Sequence, residues 1–132
     1  MAKEFMYMGK SVDELQGMSL EAFAQLTTSR LRRSLLRGMD KNLLESVMDA
    51  HAQLKAGKTP KPVKTHRREF VIIPQMIGLK MAVHKGNAFD AIDITSEMLG
   101  HRIGEFVLTR KAIRHGKAGI GSTKSSSAVT AK

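Results

Sequence analysis

The stretch Leu79-Lys80-Met81-Ala82-Val83-His84-Lys85-Gly86-Asn87-Ala88-Phe89-Asp90-Ala91-Ile92-Asp93-Ile94 decides the fold. Its two halves alternate apolar and polar residues around a Gly-Asn pair, which is the pattern of a β-hairpin. Gly at the first central position suits a type II′ turn, because the backbone there takes a positive φ that a side chain resists. Facing Lys85 with Ala88 sets Leu79, Met81 and Val83 opposite Ile94, Ile92 and Asp90 on one face, and Lys80 opposite Asp93 on the other. The apolar residues gather on one side, so the hairpin needs a second layer to cover them.

Towards the N-terminus, Phe70 to Ile73 reads as a further strand ended by Pro74. Before it, Lys58-Thr59-Pro60-Lys61-Pro62-Val63-Lys64 reads as an extended basic linker, since its two prolines remove donors and bias the residues ahead of them to extended geometry. Asp40 is a good N-cap for a helix in which Leu43, Leu44, Val47, Met48, Ala50, His51 and Leu54 form an apolar stripe ending near Gly57. That stripe can cover the hairpin. The fold class is therefore α+β, a small three-stranded sheet with a hairpin packed on a helix.

Further upstream, Ser11-Val12-Asp13-Glu14 fits a capping box, and Ser19 can cap a segment whose Leu20, Phe23, Ala24 and Leu26 follow helical spacing. Arg30, Arg32, Arg33 and Arg37 alternate with Leu31, Leu35 and Leu36 in a helix ended by Gly38. A solvated face and an RNA-contacting face fit these arginines equally. On the other side of the hairpin, Thr95 can cap one to two turns through Leu99, Gly100 supplies a left-handed exit, and a loop begins at His101. Beyond Arg114 the chain turns to Gly, Ser, Thr and Lys, too poor in apolar residues to order itself. The expected organisation is a helical N-terminal extension (1–39), a core domain (40–115) and a flexible basic tail (116–132).

The chain has 132 residues, room for one domain, and a formal charge of +10. The charge is blocky: residues 1–29 carry −2, residues 30–68 +8, residues 69–105 −2 and residues 106–132 +6. Like-charge blocks flanking an apolar centre mark interaction arms, and nucleic acid is the partner they suit. The longest apolar run falls far short of the ~20 residues of a membrane span, so no membrane is expected. The N-terminal residues do not have the pattern of a signal peptide, which points to the cytoplasm. The absence of cysteine excludes disulfides, thiolate zinc sites and iron-sulfur clusters.

Enzyme readings are weak. His51 lies on an apolar stripe and reads as packing. His84, His101 and His115, with Glu97 or Glu105, match no compact ligand spacing, so no metal and no cofactor is expected. Asp93 has a strand partner in Lys80, and Met76, Met81 and Met98 read as core filling. No catalytic residue is assigned, although a small hydrolase using His84 or His101 with a carboxylate is a distinct alternative.

The stretches Ile77-Gly78-Leu79, Ala82-Val83-His84-Lys85-Gly86 and Thr95-Ser96-Glu97-Met98-Leu99-Gly100-His101-Arg102-Ile103-Gly104-Glu105-Phe106, with Thr109-Arg110 after them, closely resemble the universal small-subunit ribosomal protein S-nineteen family. The likeness spans roughly residues 40–115. The longer N-terminal part and the tail Gly119-Ile120-Gly121-Ser122-Thr123-Lys124-Ser125-Ser126 are similar to its archaeal and eukaryotic branch, called S-fifteen in eukaryotes. The tail departs from that branch at Ala118, where Pro is usual, and at Ser127 to Thr130. The resemblance implies a structural protein of the small-subunit head that binds ribosomal RNA and neighbours the protein S-thirteen. It also implies contacts near the intersubunit bridges, with a tail directed to the decoding region and its tRNA.

For RNA contact, Lys61, Lys64, Arg67 and Arg68 lie along the extended linker, where successive side chains can reach different phosphates. Lys85 sits beside the hairpin turn. Gly100 and Gly104 bracket His101 and Arg102 and permit close backbone approach to a sugar-phosphate chain. Thr109, Arg110, Lys111, Arg114, His115 and Lys117 continue the basic surface. With few aromatic residues, readout of structured RNA through shape, phosphate and 2′-hydroxyl is expected over base stacking. A free RNA- or DNA-binding regulator shares this charge pattern and is the main alternative.

Overall fold

The structure, a computed structural model, describes residues 3–114. The expected tail, with His115 and Lys117, lies outside the described residues.

The hairpin forms with the expected register. Strands β4 (Lys80–His84) and β5 (Phe89–Asp93) are antiparallel and pair Lys80 with Asp93, Met81 with Ile92 and Val83 with Asp90. Lys85 N–H donates to Ala88 O at 2.9 Å, and Gly86 takes φ 108° in the turn. Leu79, Met81, Val83 and Ile94 are buried, whereas Asp90 on the same side reaches water at the end of the strand.

The sheet has the expected three strands but a different third member. β3 is Val63–Thr65, within the stretch read as linker, and it pairs parallel to β4, Val63 with Met81 and Thr65 with Val83. Pro62 favours the extended geometry that β3 needs, and β-branched Val63 and Thr65 turn inward. Phe70 to Ile73 is not a strand of this sheet. It is wholly buried and makes only an isolated bridge, Val71 with Arg102, flanked by bonds from Ile72 N–H to His101 O and from Ile103 N–H to Phe70 O. The β3–β4 crossover thus passes through the core, where a continuous apolar run reads as strand without being one.

Helix α4 (Lys41–Lys55) covers the sheet with Leu43, Val47 and Ala50, which join Ile72, Ile73, Met76, Met81, Val83 and Ile103 in one core. Asp40 caps it through Oδ1, accepting from Asn42 and Leu43 N–H at 3.0 and 3.3 Å. Three shorter helices precede it: α1 (Val12–Gln16), α2 (Leu20–Leu26) and α3 (Ser29–Arg37). The capping box is present, with Ser11 and Glu14 reciprocally bonded, and Ser19 Oγ accepts from Ala22 N–H. Leu15 of α1 and Phe23 of α2 enter the same core as α4.

Two local features differ from expectation. Strands β1 (Met6–Tyr7) and β2 (Lys10–Ser11) form a small hairpin ahead of α1, unannounced by any alternation in so short a stretch. After Ile94 the chain makes a single 3-10 turn (Ser96–Met98), and Thr95 makes no side-chain capping bond, although Gly100 supplies the left-handed exit at φ 81°. A second 3-10 segment spans Ile103–Phe106. Among the described residues no helix is long and apolar enough to cross a membrane.

Candidate nucleic-acid interface

The basic residues fall into two classes by what their side chains touch. Arg68 leaves the crossover half-buried, and its guanidinium donates to His84 O at 2.8 Å, to Gly104 O at 2.7 Å and to Val107 O. These three bonds to main-chain carbonyls make Arg68 an internal clamp. Arg102 donates to Glu69 O and to Ser34 Oγ, both at 2.7 Å, tying its loop to the crossover and to α3; its Nε is enclosed without a partner. Arg67 is exposed but paired, with Asp40 at 3.2 Å and Glu69 at 3.6 Å.

The glycines of the Gly100 to Gly104 stretch have packing reasons too. A Cβ on Gly104 would stand 2.8 Å from both Cβ and O of Arg68, and one on Gly100 would stand 2.8 Å from the Tyr7 hydroxyl. Both glycines thus approach the protein's own chain closely. His101 Nδ1 lies 2.7 Å from Glu105 Oε2, and its ring meets Phe106 edge-on at 5.6 Å. His101 remains half-exposed.

The other expected residues face water. Lys61, Lys64, Thr109, Arg110, Lys111 and Arg114 are exposed, and Lys85 is half-buried beside the turn. Lys85, Thr109, Arg110 and Lys111 line one open groove of about 840 Å³, which brings the hairpin turn and the C-terminal arm together. A second basic surface was left undecided by the sequence. Arg30, Arg33 and Arg37 of α3 line a shallow recess of about 350 Å³ with Ser29, Ser34 and Arg102, and no carboxylate takes part. Their spacing at i, i+3 and i+7 puts them on one helix face. Arg32, between them, turns the other way and donates to Ala24, Gln25 and Thr27 carbonyls at the end of α2.

A family profile described as Ribosomal protein S19 matches residues 33–115. The chain belongs to the ribosomal protein S19 family. It is also 41% identical over 129 residues to the small ribosomal subunit protein uS19 of Cenarchaeum symbiosum (strain A), a match covering 96% of this chain and 95% of that protein. The family is one of ribosomal structural proteins, and membership extends through the loop that carried the resemblance. Among the described residues, no group of three or more His, Asp or Glu side chains could hold a metal ion.

Proposed function

We propose that this chain is a structural constituent of the small ribosomal subunit, working in the cytoplasm and binding ribosomal RNA in the subunit head without catalysing a reaction. The observation that carries the reading is the near end-to-end similarity to a small-subunit protein uS19. The two outward-facing basic surfaces supply the chemistry. Lys61 and Lys64 on β3 and its approach, Lys85, Thr109, Arg110, Lys111 and Arg114 around the groove, and His101 at the loop meet phosphates and 2′-hydroxyls. Arg30, Arg33 and Arg37 form a second phosphate face. Arg68, Arg102, Gly100 and Gly104 act one step back, by fixing the loop and crossover that present the others. His115 and Lys117, next in the sequence, are counted among the RNA-binding residues.

The resemblance also supports S-thirteen as the neighbouring protein, with bridge and tRNA contacts through the tail. The regulator alternative shares the basic surfaces and differs in where the protein resides. Sedimentation of a lysate through a sucrose gradient separates the two. This chain is expected to travel with the small subunit, and cryo-EM of those particles to show it in the head. A chain that stays at the top of the gradient would overturn the reading.

A further inference from the structure

The outer face of the sheet, turned away from α4, carries a cluster that the basic surfaces do not absorb. The β4–β5 register sets His84 opposite Phe89 on this face, and His66, the residue after β3, comes alongside them. The three rings form one connected group. His66 and His84 centroids are 4.4 Å apart with planes tilted by 36°, and Phe89 meets each of them at 5.1 Å, edge-on at 71° and 76°. In the next row, Lys64 reaches across β4 to put Nζ 5.6 Å from the Phe89 centroid.

Three properties set this cluster apart from core packing. It is open, with His66 and Lys64 exposed and Phe89 39% exposed. It rests on a fixed backbone: β4 is the central strand, Thr65 Oγ1 accepts from Arg67 N–H just beyond His66, and Arg68 holds the His84 carbonyl. The His84 ring is held in place because its Nδ1 accepts from Gly86 N–H at 3.2 Å. Finally, the rings have a cation in the next row of their own face, Lys64, while the acid of this face, Asp93, is paired with Lys80 at 3.7 Å.

Flat π-surfaces on a rigid sheet, with a lysine at the rim, are what an unpaired base and its phosphate require. Stacking contributes affinity without regard to base identity, and the lysine takes the adjoining phosphate. A protein partner would need apolar area, and here the row beyond Phe89 is Ala82, Ala91 and the Lys64 stem. We propose that His66, His84 and Phe89, with Lys64, form a stacking site for one unpaired RNA base. This rests on the ribosomal RNA reading and adds stacking to the shape and phosphate readout expected from the sequence, an expectation that counted aromatic residues and left out imidazoles.

The test uses the full chain and two uridine hexamers, one with a single central 2-aminopurine and the other abasic at that position. Wild type is expected to quench the 2-aminopurine fluorescence and to bind the base-bearing hexamer roughly five- to a hundred-fold more tightly than the abasic one. Phe89→Leu and His66→Leu, checked for unchanged melting, should lose both the quenching and the preference. Lys64→Gln should keep the preference and lower the salt dependence. Equal affinity of wild type for the two hexamers, absence of quenching, or a preference that survives in both ring variants would overturn the proposal. Sedimentation with the small subunit is a separate readout, so a chain that assembles into the subunit and fails here loses only the stacking site.

Discussion

Arg30, Arg33 and Arg37 on α3, and Arg68 on the β3–β4 crossover, carry the same charge in the same basic block of the sequence, yet they stand in opposite relations to the fold. The first three line an open recess in which no carboxylate takes part. Arg68 spends its donors on three main-chain carbonyls from β4 and the Ile103–Val107 stretch. Arg32 repeats the inward pattern inside α3 itself, closing the carbonyl end of α2. An inward guanidinium offers five donors in a planar fork, and orphan carbonyls at chain turns are suitable acceptors. Net charge therefore overstates the charge available to RNA, and the difference between the two sets is open to measurement.

The largest effect is expected at Arg68. Arg68→Ala leaves three partly buried carbonyls without their donor, and charge-assisted bonds of this kind are worth roughly 1.5 to 3 kcal/mol each where fully buried. Discounted for partial exposure, the free protein should lose about 3 kcal/mol in urea denaturation. Unchanged stability together with weakened RNA binding would place Arg68 back among the outward residues.

Gly104→Ala tests the same contact from the other side. The added Cβ would stand 2.8 Å from the Arg68 main-chain oxygen, which cannot move without disturbing the crossover. A loss of about 2 kcal/mol is expected, as for other overpacked sites. If this variant melts like wild type and binds RNA less well, the glycine serves RNA approach rather than packing.

Arg30→Gln with Arg33→Gln should do the reverse. Thermal melting should barely change, because these side chains are exposed. RNA affinity should fall roughly tenfold, and the slope of log affinity against log salt should drop by about 1.6, since each lost phosphate contact removes about 0.7 to 0.9. A change in melting without a change in slope would merge the two sets.

How much of this the sequence reveals depends on the range of each interaction. The β4–β5 hairpin and its register follow from residues within sixteen positions, so alternation and one Gly-Asn turn are sufficient. The Ser11, Ser19 and Asp40 caps are local as well. The parallel β3–β4 pair is not. Nothing in Val63-Lys64-Thr65 points to Met81 to Val83, and the buried Phe70 to Ile73 run was the stronger apolar signal. The interface divides along the same line. Exposed Lys61, Lys64, Arg110 and Lys111 follow from charge blocks, whereas inward Arg68 and Arg102 depend on carbonyls up to 39 residues away. The Gly100 and Gly104 spacing identified the family correctly, but for reasons of packing against Tyr7 and Arg68. His66, His84 and Phe89 meet only once three strands are assembled.

The smallest effect concerns an inward ionisable group that lacks what Arg68 has. His51 projects from α4, and its Nδ1 is enclosed with no hydrogen-bond partner. Burial first, and then the Lys55 cation one turn away, push its imidazole below the ordinary value of 6.5, against an opposing pull from the Gln75 backbone. A folded-state value below the unfolded one means that the unfolded chain takes up the proton first as the pH falls. The contribution to stability is thus fully present above about 6.5 and is lost as the pH falls through the folded value. Relative to His51→Gln, wild type should lose more melting temperature between pH 7.5 and 5.5. Equal pH dependence in the two would show that His51 is as well solvated as an outward residue, and that inward placement without acceptors costs a cation nothing here.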